Sequence, residues 1–120
     1  MALRCLIVDD NEQFLVSASR LLETQGLEIA GKASTSAEAA ELVRQLRPDV
    51  VLVDVHLGDE DGLQLARRLA ATSAGRVIMI STDREAELAD LCASTGAVGF
   101  LHKTAVSARA IRVLVGQDFE

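Results

Sequence analysis

Five residues of this 120-residue chain carry side chains that could do chemistry together: Asp9, Asp10, Asp54, Ser81 and Lys103. They are scattered along the sequence, yet each stands at the carboxyl end of a short apolar run. Carboxylates held close together repel one another and need a cation. Oxygen ligands with no His or Cys side chain among them suit Mg2+, which keeps several of its waters. Lys103 supplies a point charge suited to phosphate, and Ser81 a hydroxyl donor. Phosphoryl transfer asks for little beyond positioning and charge neutralisation. Asp54, which ends the most central run, is the natural nucleophile. Any one Asp after a strand also reads as an ordinary helix cap. The coincidence at four neighbouring run ends is what argues for one shared site.

The elements that must position these residues follow from the periodicity. Apolar runs at 5–8, 50–53 and 77–80, with a weaker one at 99–101, have strand length, and 28–33 alternates like a more exposed strand. Consecutive apolar residues mark strands covered on both faces, as in parallel sheets. Between the runs lie helical patterns. Phe14, Leu15, Ala18, Leu21 and Leu22 share one face and stop at Gly26. Thr35 and Glu38 form a capping box before Ala39, Ala40, Val43 and Leu46, with Pro48 as terminator. Asp61 opens a third helix carrying Leu65, Ala66 and Leu69, and Thr82 with Glu85 can cap a fourth carrying Leu88, Leu91 and Cys92. A fifth is expected over 106–115. Strand and helix alternate five times, which means right-handed crossovers and one parallel sheet with helices on both faces. Ligands of such sheets sit at the carboxyl ends of the strands.

Composition narrows the classes. With 49% hydrophobic and 25% charged residues, the chain has the balance of one ordinary globular domain. A net charge of −6 argues against nucleic-acid binding by this domain. No apolar stretch reaches the roughly 20 residues of a membrane span, and the acids at Asp9 and Asp10 interrupt any secretory signal. A cytoplasmic location without membrane attachment is expected. Cys5 and Cys92 lack metal-ligand spacing and read as reduced core thiols.

The acidic pair Asp9-Asp10, the loop from Asp54 to Gly62, Ser81 followed by Thr82, and Lys103 with Phe100 three residues before it resemble the receiver domain of two-component response regulators. The resemblance covers the whole chain. It implies a flavodoxin-like (βα)5 three-layer α/β sandwich with sheet order 2-1-3-4-5. One receiver domain is expected over 1–120, with an ordered core of about 3–116 and a tail or the start of a linker at 117–120. Asp54 would accept a phosphoryl group from a histidine kinase or phosphotransfer protein. Mg2+ would be held by Asp10 directly, by Asp9 mainly through water, by Asp54 and by the backbone carbonyl of His56. Ser81, Lys103 and the backbone N–H of Thr82 would bind the phosphoryl oxygens. Phe100 would be the aromatic switch, its ring turning inward when Ser81 moves toward the phosphate. The resemblance implies a signalling switch with no separate substrate turnover. Its face of fourth helix, fifth strand and fifth helix would meet an output partner or a second copy, with control of transcription among the outputs. The surface around Arg84, Ala93, Ala97, Phe100 and His102 is where this contact is expected.

The sequence departs from the commonest family pattern at Thr104 and Gly58, where the family usually has Pro. Gly58 is expected to loosen its loop, and Thr104 leaves the geometry after Lys103 open. Gly62 reads either as a positive-φ position or as a plain turn residue. His56 and Asp83 flank the path of a water attacking the phosphoryl group. They either tune the lifetime of the modification or simply point into solvent. His102 reads as a surface residue. Two other classes remain. A haloacid-dehalogenase-type phosphatase would need a second Asp where His56 stands, and a flavin-binding module would need a phosphate-cradling loop where Asp9, Asp10 and Asn11 stand.

Overall fold

Five parallel strands form the sheet, each built from one apolar run: β1 (Arg4–Val8), β2 (Glu28–Ala33), β3 (Val50–Asp54), β4 (Arg76–Ser81) and β5 (Gly99–His102). They pair in the order β2-β1-β3-β4-β5, the order the receiver-domain resemblance implies. The computed structural model describes residues 3–72, 76–82 and 86–116. Five helices connect and cover the strands: α1 (Glu12–Thr24), α2 (Ser36–Leu46), α3 (Gly62–Ala71), α4 (Ala86–Ala93) and α5 (Ala108–Val115).

Successive side chains of a strand point to opposite faces, and the runs use both. Cys5, Ile7, Val50, Leu52, Ile78 and Ile80 pack against Leu15, Ala18 and Leu22 of α1 and Ala108, Ile111 and Val115 of α5. Leu6, Val8, Val51, Val53, Val77 and Met79 pack on the other side against α2, α3 and Cys92 of α4. The result is a three-layer sandwich with two cores. Both cysteines are free and buried in it, and burial pushes the thiols up to about 12 at Cys5 and about 11 at Cys92. No helix among the described residues is long and apolar enough to cross a membrane.

The helix boundaries rest on local chemistry. Asn11, Thr35, Asp61 and Ser107 are the N-caps of α1, α2, α3 and α5, each accepting a backbone N–H of its first turn. Glu38 reaches back past the cap and accepts the Ser34 N–H at 2.8 Å, a variant of the expected capping box. Gly26 follows α1 at φ +98°, as a helix stop should. The fifth helix starts two residues later than its apolar pattern indicates, because Ser107 caps it and a single 3-10 turn (Lys103–Ala105) precedes it. The proposed Thr82–Glu85 cap, Asp83 and Arg84 involve positions 83–85, outside the described residues.

Two glycines have more specific roles than the sequence shows. Gly58 and Asp59 close a short antiparallel ladder in which His56 pairs with Asp61 and Leu57 with Glu60. Gly58 sits at φ +62°. Its place is thus a defined hairpin turn, and Pro, fixed near −65°, could not adopt its φ. Glu60 ties this hairpin to α2 by accepting the Ser36 N–H at 2.7 Å. Gly62 is neither a positive-φ position nor a plain turn. A Cβ there would lie 2.7 Å from the Val55 carbonyl oxygen and closer still to that of Asp54. Only glycine lets α3 start against the backbone that carries Asp54.

Candidate functional site

The carboxyl ends of β1, β3 and β5 bring three charged side chains together. Asp9 directly follows β1, its backbone N–H donating to the Ala33 carbonyl of β2 at 2.9 Å. Its side chain is fully buried. Asp9 Oδ1 accepts the Asn11 N–H at 2.9 Å, and Asn11 Oδ1 in turn accepts the Phe14 N–H at 3.2 Å. These local bonds fix the entry into α1. Asp54, the last residue of β3, is 5% exposed, and its Oδ1 accepts the His56 N–H at 3.2 Å. Lys103 follows β5 and reaches back across the site. Its Nζ lies 2.6 Å from Asp9 Oδ2 and 3.4 Å from Asp54 Oδ2.

The electrostatics are unbalanced. One ammonium faces two buried carboxylates, and Asp10 adds a third, with ligand oxygens of all three within 4.8 Å of one another. Burial, reinforced by the neighbouring Asp9 charge, pushes Asp54 up to about 6 against the pull of Lys103. For Lys103, burial works against the charged form. The close approach to Asp9 and the charges of Asp54 and Asp9 outweigh it, so the ammonium is held above its ordinary value. Asp9 Oδ2 is the buried side-chain oxygen without a hydrogen-bond partner among the described residues. The Lys103 ammonium is within ion-pair range of it, but off the directions a hydrogen bond needs. An under-satisfied buried carboxylate oxygen, in an all-oxygen set with surplus negative charge, fits a hard divalent cation such as Mg2+.

The remaining predicted residues fall around this centre. Ser81 ends β4, buried, directly beside β3, with Ile80 paired to Asp54. Thr82 follows it, exposed. Phe100 is half-buried on β5, opposite Met79, and packs on the α2–α4 side of the sheet. His56 is exposed, two residues beyond Asp54. Its proposed partner Asp83 lies outside the described residues.

Three contributors escaped the sequence reading. Asn11 secures Asp9. Phe14, which the helical pattern assigns to the core, places its ring 4.7 Å from the Lys103 ammonium, a cation–π contact that holds the lysine over the site. The third corrects an expectation: His102 is no plain surface residue, because both of its ring nitrogens are engaged. The Lys103–Thr104 bond is trans, as no cis peptide occurs among the described residues.

A doubly wound parallel sheet with an acidic pocket and a lysine at its strand ends defines a flavodoxin-like class of α/β domain. Comparison with known proteins makes this specific. The family model of the response regulator receiver domain matches residues 5–115, and the chain belongs to that family. It is 30% identical over 123 residues to the response regulator GacA of Pseudomonas aeruginosa, covering 98% of this chain and 58% of that protein. It is 34% identical over 119 residues to protein-glutamate methylesterase/protein-glutamine glutaminase 5 of Myxococcus xanthus, covering 96% of this chain and 34% of that one. The signal receiver domain of NarL from Mycobacterium tuberculosis superposes with a TM-score of 0.86 at 28% identity, over 96% of this chain and 97% of that one. The chain spans about half the length of the first curated relatives it matches. Membership in this family supports neither the phosphatase nor the flavin reading.

Proposed function

We propose that Asp54 is the phosphoacceptor of this receiver and that the pocket around it is a phosphorylation-driven switch. The observation that carries this reading is the convergence of buried Asp9, buried Asp54 and Lys103, with Nζ at 2.6 and 3.4 Å from the two carboxylates. Asp54 Oδ attacks the phosphorus of a phosphohistidine on a kinase or phosphotransfer protein. The P–O bond forms as the P–N bond breaks, and the imidazole leaves with the electron pair and takes up a proton. The product is an acyl phosphate.

The transferring group is anionic, so the site must neutralise it without supplying a competing nucleophile. Lys103 provides one charge. Phe14 beneath it and the carboxylates beside it keep the ammonium in place. Ser81 and the Thr82 N–H supply donors from the neighbouring strand end. Asp9, Asp10, Asp54 and the His56 carbonyl would hold Mg2+, which when bound neutralises the remaining negative charge on carboxylates and phosphoryl oxygens. His56, exposed two residues beyond Asp54, sets how long the acyl phosphate lasts by acting on the hydrolytic water.

Modification adds about −1.5 to −2 charges beside Ser81. The response is read on α4, β5 and α5, through Ser81 and Phe100, by an output partner or a second copy. Leu91, Val98 and Val113, exposed on or beside these elements, supply apolar contact there. Relatives of this chain include a protein named as a response regulator and one named as a methylesterase. Incubation with acetyl phosphate tests the chemistry. The intact mass should rise by one phosphoryl group in Mg2+. Equal labelling in excess chelator would overturn the reading.

A further inference from the structure

His102, the last residue of β5, uses its whole ring to join two loops. Nε2 lies 2.7 Å from the Thr82 carbonyl oxygen. Nδ1 lies 2.7 Å from Thr104 Oγ1 and accepts the Thr104 N–H at 3.2 Å. A carbonyl can only accept and a backbone N–H can only donate. These partners therefore fix a neutral ring with the proton on Nε2 and the lone pair on Nδ1. The clasp depends on Thr104. A Pro at that position has no N–H to give, so the departure from the usual family residue is what supplies the second anchor.

The direction of the clasp matters more than its existence. β4 lies between β3 and β5, and Ser81 stands in register with His102. A phosphoryl group on Asp54, at the end of β3, draws the Ser81 hydroxyl and the Thr82 N–H toward β3. His102 draws the Thr82 carbonyl toward β5. The two pulls act on the same dipeptide in opposite directions across the sheet.

We propose that His102 is a latch that holds the start of the β4–α4 loop in its unphosphorylated position and must release Thr82 for the switch to complete. The proposal rests on the phosphoacceptor reading above. A two-state element moves only by the difference between what favours each state. A hydrogen bond made in one state alone therefore sets the balance by roughly three- to tenfold. His102 is a positioning residue here, since it acts on the phosphoryl-binding group through the Thr82 backbone.

Beryllofluoride, a phosphoryl mimic, provides the test with the whole chain in Mg2+. Its affinity is measured for the wild type, His102→Leu and His102→Gln. His102→Leu should bind three- to tenfold more tightly. His102→Gln keeps a donor and an acceptor and should return toward wild type. In the wild type the His102 ring should show the Nε2–H tautomer by nitrogen NMR, with a slowly exchanging proton that is lost on saturation with the mimic. Thr104→Val, which removes the Oγ1 contact to Nδ1 and leaves the N–H in place, should shift affinity in the same direction by a smaller factor and serves if His102→Leu fails to fold. Equal or weaker binding by the folded variants, or an Nε2 proton that persists in the complex, would overturn the latch alone. No binding by any protein, wild type included, would overturn the phosphoacceptor reading and the latch with it.

Discussion

At Asp54 a carboxylate is buried beside another carboxylate with one shared ammonium, and the metal-free protein must bear that repulsion. Its folded-state value near 6 lies above the ordinary 3.8. Between the two the folded state binds more protons than the unfolded chain, so stability falls as pH rises through this window. Above pH 6 the shift amounts to at most about 3 kcal/mol of destabilisation. We therefore expect Asp54→Asn to be more stable than wild type at pH 8 without metal, with the advantage vanishing near pH 4. Mg2+ should stabilise the wild type more than the variant. Urea unfolding at both pH values checks this, and a variant less stable than wild type at pH 8 would contradict it. The acids themselves were legible in the sequence because each ends an apolar run. Phe14 and His102 were not, because their partners Lys103 and Thr82 are far from them in sequence and meet them only in the folded chain. Gly62 was legible as a special position but not as a close approach, since the carbonyls it admits belong to β3 and its end.

The elements were read well where the signal is local. Strand runs and the caps Thr35 and Asp61 needed no tertiary information. The start of α5 was misplaced because an apolar pattern continues through Val106 while the cap at Ser107 decides the boundary. The hairpin after Asp54 escaped the sequence for a similar reason: a single Gly in a loop does not announce a paired turn until the partnering of Leu57 with Glu60 is known. That hairpin links Asp54 to α2 through Glu60, so its geometry bears on the site. Gly58→Pro should cost about 1–3 kcal/mol, since Pro cannot take the φ of +62° found there. It should also slow labelling by acetyl phosphate. A urea midpoint and a labelling rate both equal to wild type would show that the turn can be rebuilt without penalty.

Across the whole molecule, strand–helix alternation made a parallel sheet covered on both faces legible, while its strand order came from the family resemblance. The sequence proposes a contact face only as a place, because exposed side chains carry no pattern that names a partner. If α4, β5 and α5 form the responsive face, phosphorylation should change hydrogen exchange in those elements. Protection confined to α1 and α2 would count against it. The account as a whole turns on one atom-level claim, that the phosphoryl group goes to Asp54. Borohydride reduction after acetyl phosphate treatment in Mg2+, followed by tandem mass spectrometry, reads that site directly, because an aspartyl phosphate is reduced to homoserine. The account predicts homoserine at position 54 and an unlabelled Asp54→Asn protein. Homoserine at Asp9 or Asp10, a phosphate on Ser81, or full labelling of Asp54→Asn would contradict it.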